Sequence, residues 1–282
     1  MKETTLFIRE SLKHLYPPEE INSFIRWILE EVCHLSFQQQ LLCKDTQLSL
    51  AEKEQIRMIT QRLKKAEPLQ YILNTCEFHG LHFEVNPSVL IPRPETEELV
   101  NQILQTEKSP ELQVLDIGTG SGCIAITLSR HLSDAEVYAI DISEKALTVA
   151  QKNAKLNNST PHFIHADVLS DNIYKQFAQT TFDIIVSNPP YVKEGEKDTI
   201  QDNVLHYEPH QALFVPDNDP LLFYNRIADI GLQLLKKDGR LYFEINALYG
   251  MKTLTMLQEK GYQQVELKQD LNDKDRFIKA IR

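Results

Sequence analysis

Among the 282 residues, the stretch best equipped for chemistry is Ser187-Asn188-Pro189-Pro190-Tyr191. Pro189 and Pro190 have carbonyls but no N–H, and Asn188 adds a side-chain carbonyl. Tyr191 adds a flat ring with a hydroxyl tip. Such a corner is rich in acceptors and suits a planar NH2 group, whose two hydrogens can go to Asn188 and to a proline carbonyl. The nitrogen is then held face-on to an electrophile. A bare Pro-Pro only turns a chain; the Asn and Tyr on either side of the pair make the signal more specific.

Four further features share the spacing logic. Asp116 stands two residues before Gly118-Thr119-Gly120-Ser121-Gly122, where glycines let backbone N–H groups approach a ligand at a helix N-terminus. The dinucleotide fingerprint G-x-G-x-x-G is absent, since Cys123 follows Gly122. The closer glycine spacing suits a ligand without a pyrophosphate. Asp141 is placed to accept from both hydroxyls of a ribose. Asp167 can accept an exocyclic amine or cap a local turn, and Val168 can pack on an adenine face. Arg93, held between Pro92 and Pro94, reads either as a solvated linker arginine or as a gate over the neighbouring site.

These residues need strands to position them, and from about residue 111 the pattern alternates strand and helix, as in a parallel α/β sheet. Predicted strands are Val114–Ile117, Ala135–Ile140, His162–His165 and Phe182–Val186, and the glycine loop, Asp141, Asp167 and Asn188 fall at their carboxyl ends. That collinearity outlines one crevice for an adenosine ligand beside an NH2-orienting corner. Helices are predicted over Ile124–Leu132, from Ser143, over Leu221–Leu235 and over Tyr249–Lys260; the last strands are Arg240–Ile245, Gln264–Leu267 and Phe277–Ile281. Lys236-Lys237-Asp238-Gly239 is expected to end its helix with a C-terminal glycine, and residues 192–206 to form a mobile flap.

Upstream, residues 1 to about 75 read as helices. Pro17-Pro18-Glu19-Glu20 opens one with proline and acids in its first turn, and Ser49-Leu50-Ala51-Glu52 is a capping box. His14, His34 and Trp27 read as ordinary helix residues. Phe78 to Ile91, with Gly80, Asn86 and Pro87, reads as a β-hairpin bridging two domains, and Pro94 opens the next helix.

Composition narrows the class. A net charge of −10 argues against duplex nucleic acid as main substrate, because neutralising phosphates needs a basic surface. Cys33, Cys43, Cys76 and Cys123 lack C-x-x-C spacing, so neither a metal site nor a disulfide framework is expected, and a reduced, cytoplasmic compartment fits. No run of 18 apolar residues suggests a membrane span.

Together the motifs resemble the release-factor glutamine methyltransferases, the HemK/PrmC family. The residues that carry the likeness are Glu67-Pro68-Leu69-x-Tyr71, Phe78, Leu90-Ile91-Pro92-Arg93-Pro94-Glu95-Thr96-Glu97, Asp116 to Gly122, Asp141 and Ser187 to Tyr191. The resemblance implies a class I S-adenosylmethionine-dependent fold, Rossmann-like, with a mostly parallel seven-stranded sheet. It implies a helical substrate-recognition domain over 1–75, a hairpin linker over 76–93 and a catalytic domain over 94–282. Asp116, Gly118 to Gly122, Asp141, Asp167, Val168 and Asn188 would bind S-adenosylmethionine. Asn188, Pro189, Pro190 and Tyr191 would be catalytic and, with Arg93, would hold the substrate. That substrate would be the glutamine of a Gly-Gly-Gln motif in peptide chain release factors, methylated at N5 by a monomer, with S-adenosylhomocysteine as product. Asn74 and Asp273 stand where relatives often carry Gly, and both types tolerate left-handed backbone. The segment from Glu244 to Gly250 departs from the family pattern, and its role is open. Other readings of the same corner are a ribosomal-protein glutamine methyltransferase, an adenine-N6 or guanine-N2 methyltransferase, and a non-catalytic binding module.

Overall fold

The computed structural model describes residues 1–42, 46–177 and 180–282. Cys43 lies outside them; Cys33, Cys76 and Cys123 are free thiols. The chain forms two compact units, one of residues 1–74 with 201–207, the other of residues 75–200 with 208–282.

The first unit is helical: α1 (Lys2–Leu12), α2 (Pro18–Cys33), α3 (Phe37–Leu42), α4 (Leu50–Leu63), α5 (Leu69–Leu73) and a later helix over Asp202–Tyr207. Pro18 takes the first position of α2, where its missing N–H costs nothing. Ser49 and Glu52 close the expected capping box on α4. Ile8, Leu12, Ile28, Ile56 and Leu63, at helical spacing, are buried in one apolar core. Asn74 ends α5 in left-handed backbone (φ 56°), as its residue type allows.

The second unit opens on a hairpin, β1 (Thr75–Phe78) and β2 (Leu81–Glu84). Its two-residue turn, His79-Gly80, has positive φ at both positions (52° and 72°), which matches the right-handed twist of paired strands. The hairpin is shorter than the sequence suggests, and residues 85–93 run on irregularly to α6 (Pro94–Thr106). Then follow β3 (Gln113–Ile117), α7 (Cys123–His131), β4 (Glu136–Asp141), α8 (Glu144–Leu156), β5 (His162–His165), α9 (Ile173–Gln176) and β6 (Phe182–Ser187). After β6 come β7 (Val192–Lys193), α10 (the Asp202–Tyr207 helix), β8 (Phe214–Val215), α11 (Leu222–Leu234), β9 (Leu235–Glu244), α12 (Gly250–Glu259), β10 (Gln263–Gln269) and β11 (Asp275–Ile281). Residues 192–206, expected as a flap, thus carry β7, a 3-10 helix over Glu194–Thr199 and most of α10.

Seven strands form the main sheet in the order β10-β11-β9-β6-β3-β4-β5. β5, β4, β3, β6 and β9 are parallel neighbours; β11 runs antiparallel between β9 and β10. Helices cover both faces, so the central strands read as continuous apolar runs. Leu115, Ile185, Leu241 and Phe243 enter one core, while Val114, Ile184, Val186 and Tyr242 enter the other, as period-2 alternation requires. The chain proceeds outward from β3 through β4 to β5 and returns on the other side of β3 with β6. This reversal is a switch point, where open α/β sheets take their ligands.

One expected helix end is corrected. α11 stops at Leu234 because Leu235 is already extended (ψ 144°), so Lys236 to Gly239 belong to β9. The left-handed residue there is Asp238 (φ 63°), not Gly239. Asp273 is left-handed too (φ 58°). No helix of the described residues is long and apolar enough to cross a membrane.

Candidate active site

The glycine loop leaves β3 at the switch point. Gly118 and Thr119 N–H both donate to the Ile140 carbonyl at the end of β4 (2.9 and 3.0 Å). Gly120 N–H donates to Asp141 Oδ2 at 2.9 Å, and Ser143 N–H donates to Oδ1 at 2.8 Å. Asp141 is therefore fixed by main chain on both oxygens, each with a lone pair to spare. Burial pushes its carboxyl upward. Gly118 and Gly120 adopt positive φ (77° and 55°), and a Cβ on either would meet nothing within 4 Å. The space beside them is the cavity itself. Gly122 differs: at φ 83°, its Cβ would lie 2.9 Å from Ile126 Cδ1 and 3.1 Å from Ala150 Cβ. Here the glycine is needed for α7 and α8 to approach. Asn153 of α8, fully buried, ties the loop to the hairpin by donating to the Ser121 and Glu84 carbonyls, both at 2.9 Å.

The cavity has a volume of about 320 Å³. Gly118 to Ser121, Asp141, Asp167, Val168, Asn188, Pro189, Pro190 and Arg93 all line it, so the structure brings together nearly every residue singled out from sequence. Gly122, packed toward Ile126 and Ala150, is the first exception. Asp116 is the second. It is 0% exposed and does not reach the cavity; Thr119 Oγ1 donates to its Oδ2 at 2.7 Å. Its other oxygen is buried with no full hydrogen bond, and the Ala125 N–H lends partial support. Burial pushes this carboxyl up to about 7, against that support. Through that bond Asp116 holds Thr119 of the loop. Asp167 fits both its readings: it lines the cavity while Oδ1 accepts from Leu169 N–H at 2.8 Å, a local turn cap. Ile142, Phe223 and Ile227 complete an apolar wall beside Val168 that sequence reasoning missed. Phe223 and Ile227 sit one turn apart on α11, where a core-facing stripe and a cavity-facing stripe have the same period. Ile142 had a signal: it directly follows the acid that ends β4.

At the other end, Ser187 Oγ donates to the Ile117 carbonyl at 2.7 Å, locking β6 to β3 just before the corner. Asn188 Nδ2 donates to Thr96 Oγ1 at 3.0 Å. Thr96, 3% exposed in the first turn of α6, donates in turn to Glu244 Oε2 at 2.6 Å. Tyr191 is the third exception. It is not a wall of the cavity: its hydroxyl donates to Glu244 Oε1 at 3.3 Å and its ring packs against the core. An acid as buried as Glu244 needs donors, and Tyr191 is turned inward to supply one. Its phenol is pushed well above the usual range, by burial first and then by Glu244. Asn246 Nδ2 holds the Tyr191 carbonyl at 3.2 Å, which gives the unexplained segment after β9 a function: it fixes the back of the corner. Arg93 lines the cavity but is pinned, with Nη2 2.5 Å from Oε1 of Glu208, whose side chain is 1% exposed. Glu208 Oε2 also accepts from Ile91 N–H at 3.2 Å, so this arginine braces the Ile91–Pro94 segment.

The strand order, the glycine loop after β3 and the acid ending β4 define a class I methyltransferase. S-adenosylmethionine is its cofactor, and the residues fit it: open space beside Gly118 and Gly120, an anchored acid in Asp141 and an apolar wall at Ile142, Val168 and Phe223. Residues 95–212 match the methyltransferase small domain, and residues 7–73 match the PrmC N-terminal domain. The release factor glutamine methyltransferase of Bacteroides thetaiotaomicron is 46% identical over 100% of both chains. That of Flavobacterium psychrophilum is 46% identical over 96% of this chain and 95% of its own. The chain belongs to the release factor glutamine methyltransferase family. A methyltransferase from Pyrococcus furiosus shares the fold (TM-score 0.53, 18% identity, 81% of this chain and 97% of that one).

Proposed function

We propose that this enzyme methylates the side-chain nitrogen, N5, of the glutamine in the Gly-Gly-Gln motif of peptide chain release factors, acting as a cytoplasmic monomer. The observation that carries the reading is the commitment of Asn188 Nδ2 to Thr96. Toward the cavity this leaves the Asn188 oxygen and the carbonyls of two residues without N–H, a corner of acceptors. A primary amide, with two hydrogens on one nitrogen, is the complement of such a corner.

In this reading the main chain of Gly118 to Gly122, with Asp141, Asp167 and Val168, holds the cofactor, and Asp116 acts through Thr119. Bound S-adenosylmethionine supplies an electrophilic sulfonium methyl. The chain's own task is orientation, because an amide nitrogen is a poor nucleophile with its lone pair delocalised. Asn188 Oδ1 and the Pro189 carbonyl accept the two N–H groups and face the nitrogen's lone pair toward the methyl. The same acceptors favour positive charge developing on that nitrogen. Holding two reactants in line is worth roughly 7–11 kcal/mol, so no general base among these residues is required, and the surplus proton leaves to water. Tyr191 contributes from behind by fixing Glu244.

The test is mass spectrometry of a release factor incubated with the enzyme and methyl-labelled S-adenosylmethionine, beside a Gly-Gly-Gln→Gly-Gly-Ala variant. One methyl on that glutamine, and none on the variant, is the expected result. Equal labelling of the two proteins, or none of either, sinks the assignment.

A further inference from the structure

The shape of Asn188 does not decide which end of its amide meets the substrate, since the two ends are alike in size and opposite in polarity. The decision is made behind it. Thr96 Oγ1 lies 3.0 Å from Asn188 Nδ2 and 2.6 Å from Glu244 Oε2, and Thr96 and Glu244 are both buried. We propose that Glu244 and Thr96 are positioning residues, a carboxylate–hydroxyl–amide relay that turns the Asn188 oxygen toward the substrate amide and reverses when Glu244 takes up a proton. The proposal rests on the acceptor reading of Asn188 given above.

The relay has one polarity when Glu244 is ionised, and the opposite one opens when Oε2 carries a proton. Ionised Glu244 only accepts, so Thr96 must donate to it. Thr96 then has only lone pairs for Asn188, which must present Nδ2, and Oδ1 is left to the cavity. Protonated Glu244 can donate to Thr96. The hydroxyl hydrogen then turns to Asn188, the amide oxygen follows it, and the cavity is offered an NH2. A substrate NH2 would meet donor against donor.

Glu244 is placed to make this change near neutrality. Burial is the largest influence and raises its carboxyl to about 7. Thr96, Arg276 of β11 and the Tyr191 hydroxyl oppose that rise; Glu95, beside Thr96 on α6, adds to it. Asp270 holds Arg276, its Oδ2 3.0 Å from Nε. On α11, the Tyr224 hydroxyl donates to the Glu244 main-chain carbonyl at 3.4 Å and accepts from Asn246 N–H at 3.3 Å. Arg93, the other cation bearing on Tyr191, is occupied by Glu208.

The experiment is kcat and KM for methyl transfer to a release factor between pH 5.5 and 8.5, with affinity for S-adenosylhomocysteine as the control for an intact site. Wild type should lose kcat as pH falls below about 7, approaching tenfold per unit. Thr96→Val should lower kcat about 10–100-fold, with KM and S-adenosylhomocysteine affinity nearly unchanged and the acid limb gone. Thr96→Ser should restore most of that rate together with the limb, which a purely structural role for the hydroxyl would not do. Glu244→Gln should abolish the limb whatever its rate. Wild-type kcat and pH profile in Thr96→Val, or a surviving limb in Glu244→Gln, overturn the relay. If Asn188→Ala is crippled while those two variants keep the limb, the relay alone fails. An Asn188→Ala enzyme at wild-type rate removes the acceptor reading beneath it.

Discussion

At the glycine-loop end of the cavity the groups that fix the site are main-chain ones, the Gly118, Thr119 and Gly120 N–H groups donating to the Ile140 carbonyl and to Asp141. At the Asn188 end they are side chains, and their orientation comes from Thr96 and Glu244, which lie 92 residues from Asn188 and 148 residues from Thr96 in the chain, respectively. The first end is specified locally: the φ of three glycines and one acid at a strand terminus. The second depends on three segments meeting in a buried polar network, where an unmatched donor or acceptor costs far more than in water. Side-chain changes at the glycine loop should therefore matter through backbone and packing. At the corner, single atoms should matter, and the loss should appear in turnover and not in cofactor affinity.

The largest expected break of this contrast is Asn188→Ala. It should lower kcat about 10²–10³-fold, while S-adenosylhomocysteine affinity, followed by calorimetry, moves only about twofold to threefold. Comparable losses in both would mean that the two ends are not separable. Next is Gly122→Ala, which should act on stability. Left-handed backbone costs a non-glycine residue about 1–2 kcal/mol and overpacking another 1–3, so urea unfolding should report a loss of about 3 kcal/mol. The Ala150 Cβ at 3.1 Å on α8 has little room to yield. A variant as stable as wild type would show that α7 and α8 are not held together at this point.

This difference in construction also explains what the sequence discloses. The glycine loop, Asp141 and the corner could be read because each is a local pattern ending a β-branched strand, and the sheet places strand ends together. Asn74 and Asp273 could be read as tolerating left-handed backbone because relatives often carry Gly there and their residue types allow it, and both have positive φ. Thr96 was visible only as one letter of the family segment Leu90 to Glu97, with no role of its own. Glu244 looked like the end of a strand, because no local period reports a partner 148 residues away. The inward turn of Tyr191 was hidden for the same reason, since the buried acid that takes its hydroxyl lies 53 residues away. That Asp116 stands behind the cavity lining was not legible either, because burial on both faces of β3 depends on the layers packed against the sheet.

Asp141→Asn sharpens the comparison at the cofactor end. The amide keeps one acceptor, but its NH2 must face either Gly120 N–H or Ser143 N–H, donor against donor. S-adenosylhomocysteine affinity should fall about 10–150-fold, since hydrogen bonds to a charged partner are worth about 1.5–3 kcal/mol. At saturating cofactor, kcat should change much less. A drop mainly in kcat would place Asp141 with the catalytic groups and erase the division of labour between the two ends.

The last effect is a slope, small per pH unit. The unfolded chain releases the Asp116 proton near the ordinary value of 3.8, whereas the folded chain holds it to about 7. Between those values the folded state binds more protons than the unfolded one, so the contribution of Asp116 to stability falls as pH rises through the window and levels off above it. Glu244 adds a decline of the same sign between 4.5 and about 7. Asp116→Asn keeps an acceptor for the Thr119 hydroxyl and removes the titration. Its stability relative to wild type should therefore grow with pH, by up to about 1.4 kcal/mol per unit, in urea unfolding at pH 4.5, 5.5, 6.5 and 7.5. Because the comparison is a difference, the slope from Glu244 and from the surface carboxylates cancels. An advantage that is constant, or that grows toward acid, would mean that Asp116 is already ionised in the folded protein, and that the glycine-loop end, like the Asn188 end, is built around a buried charge.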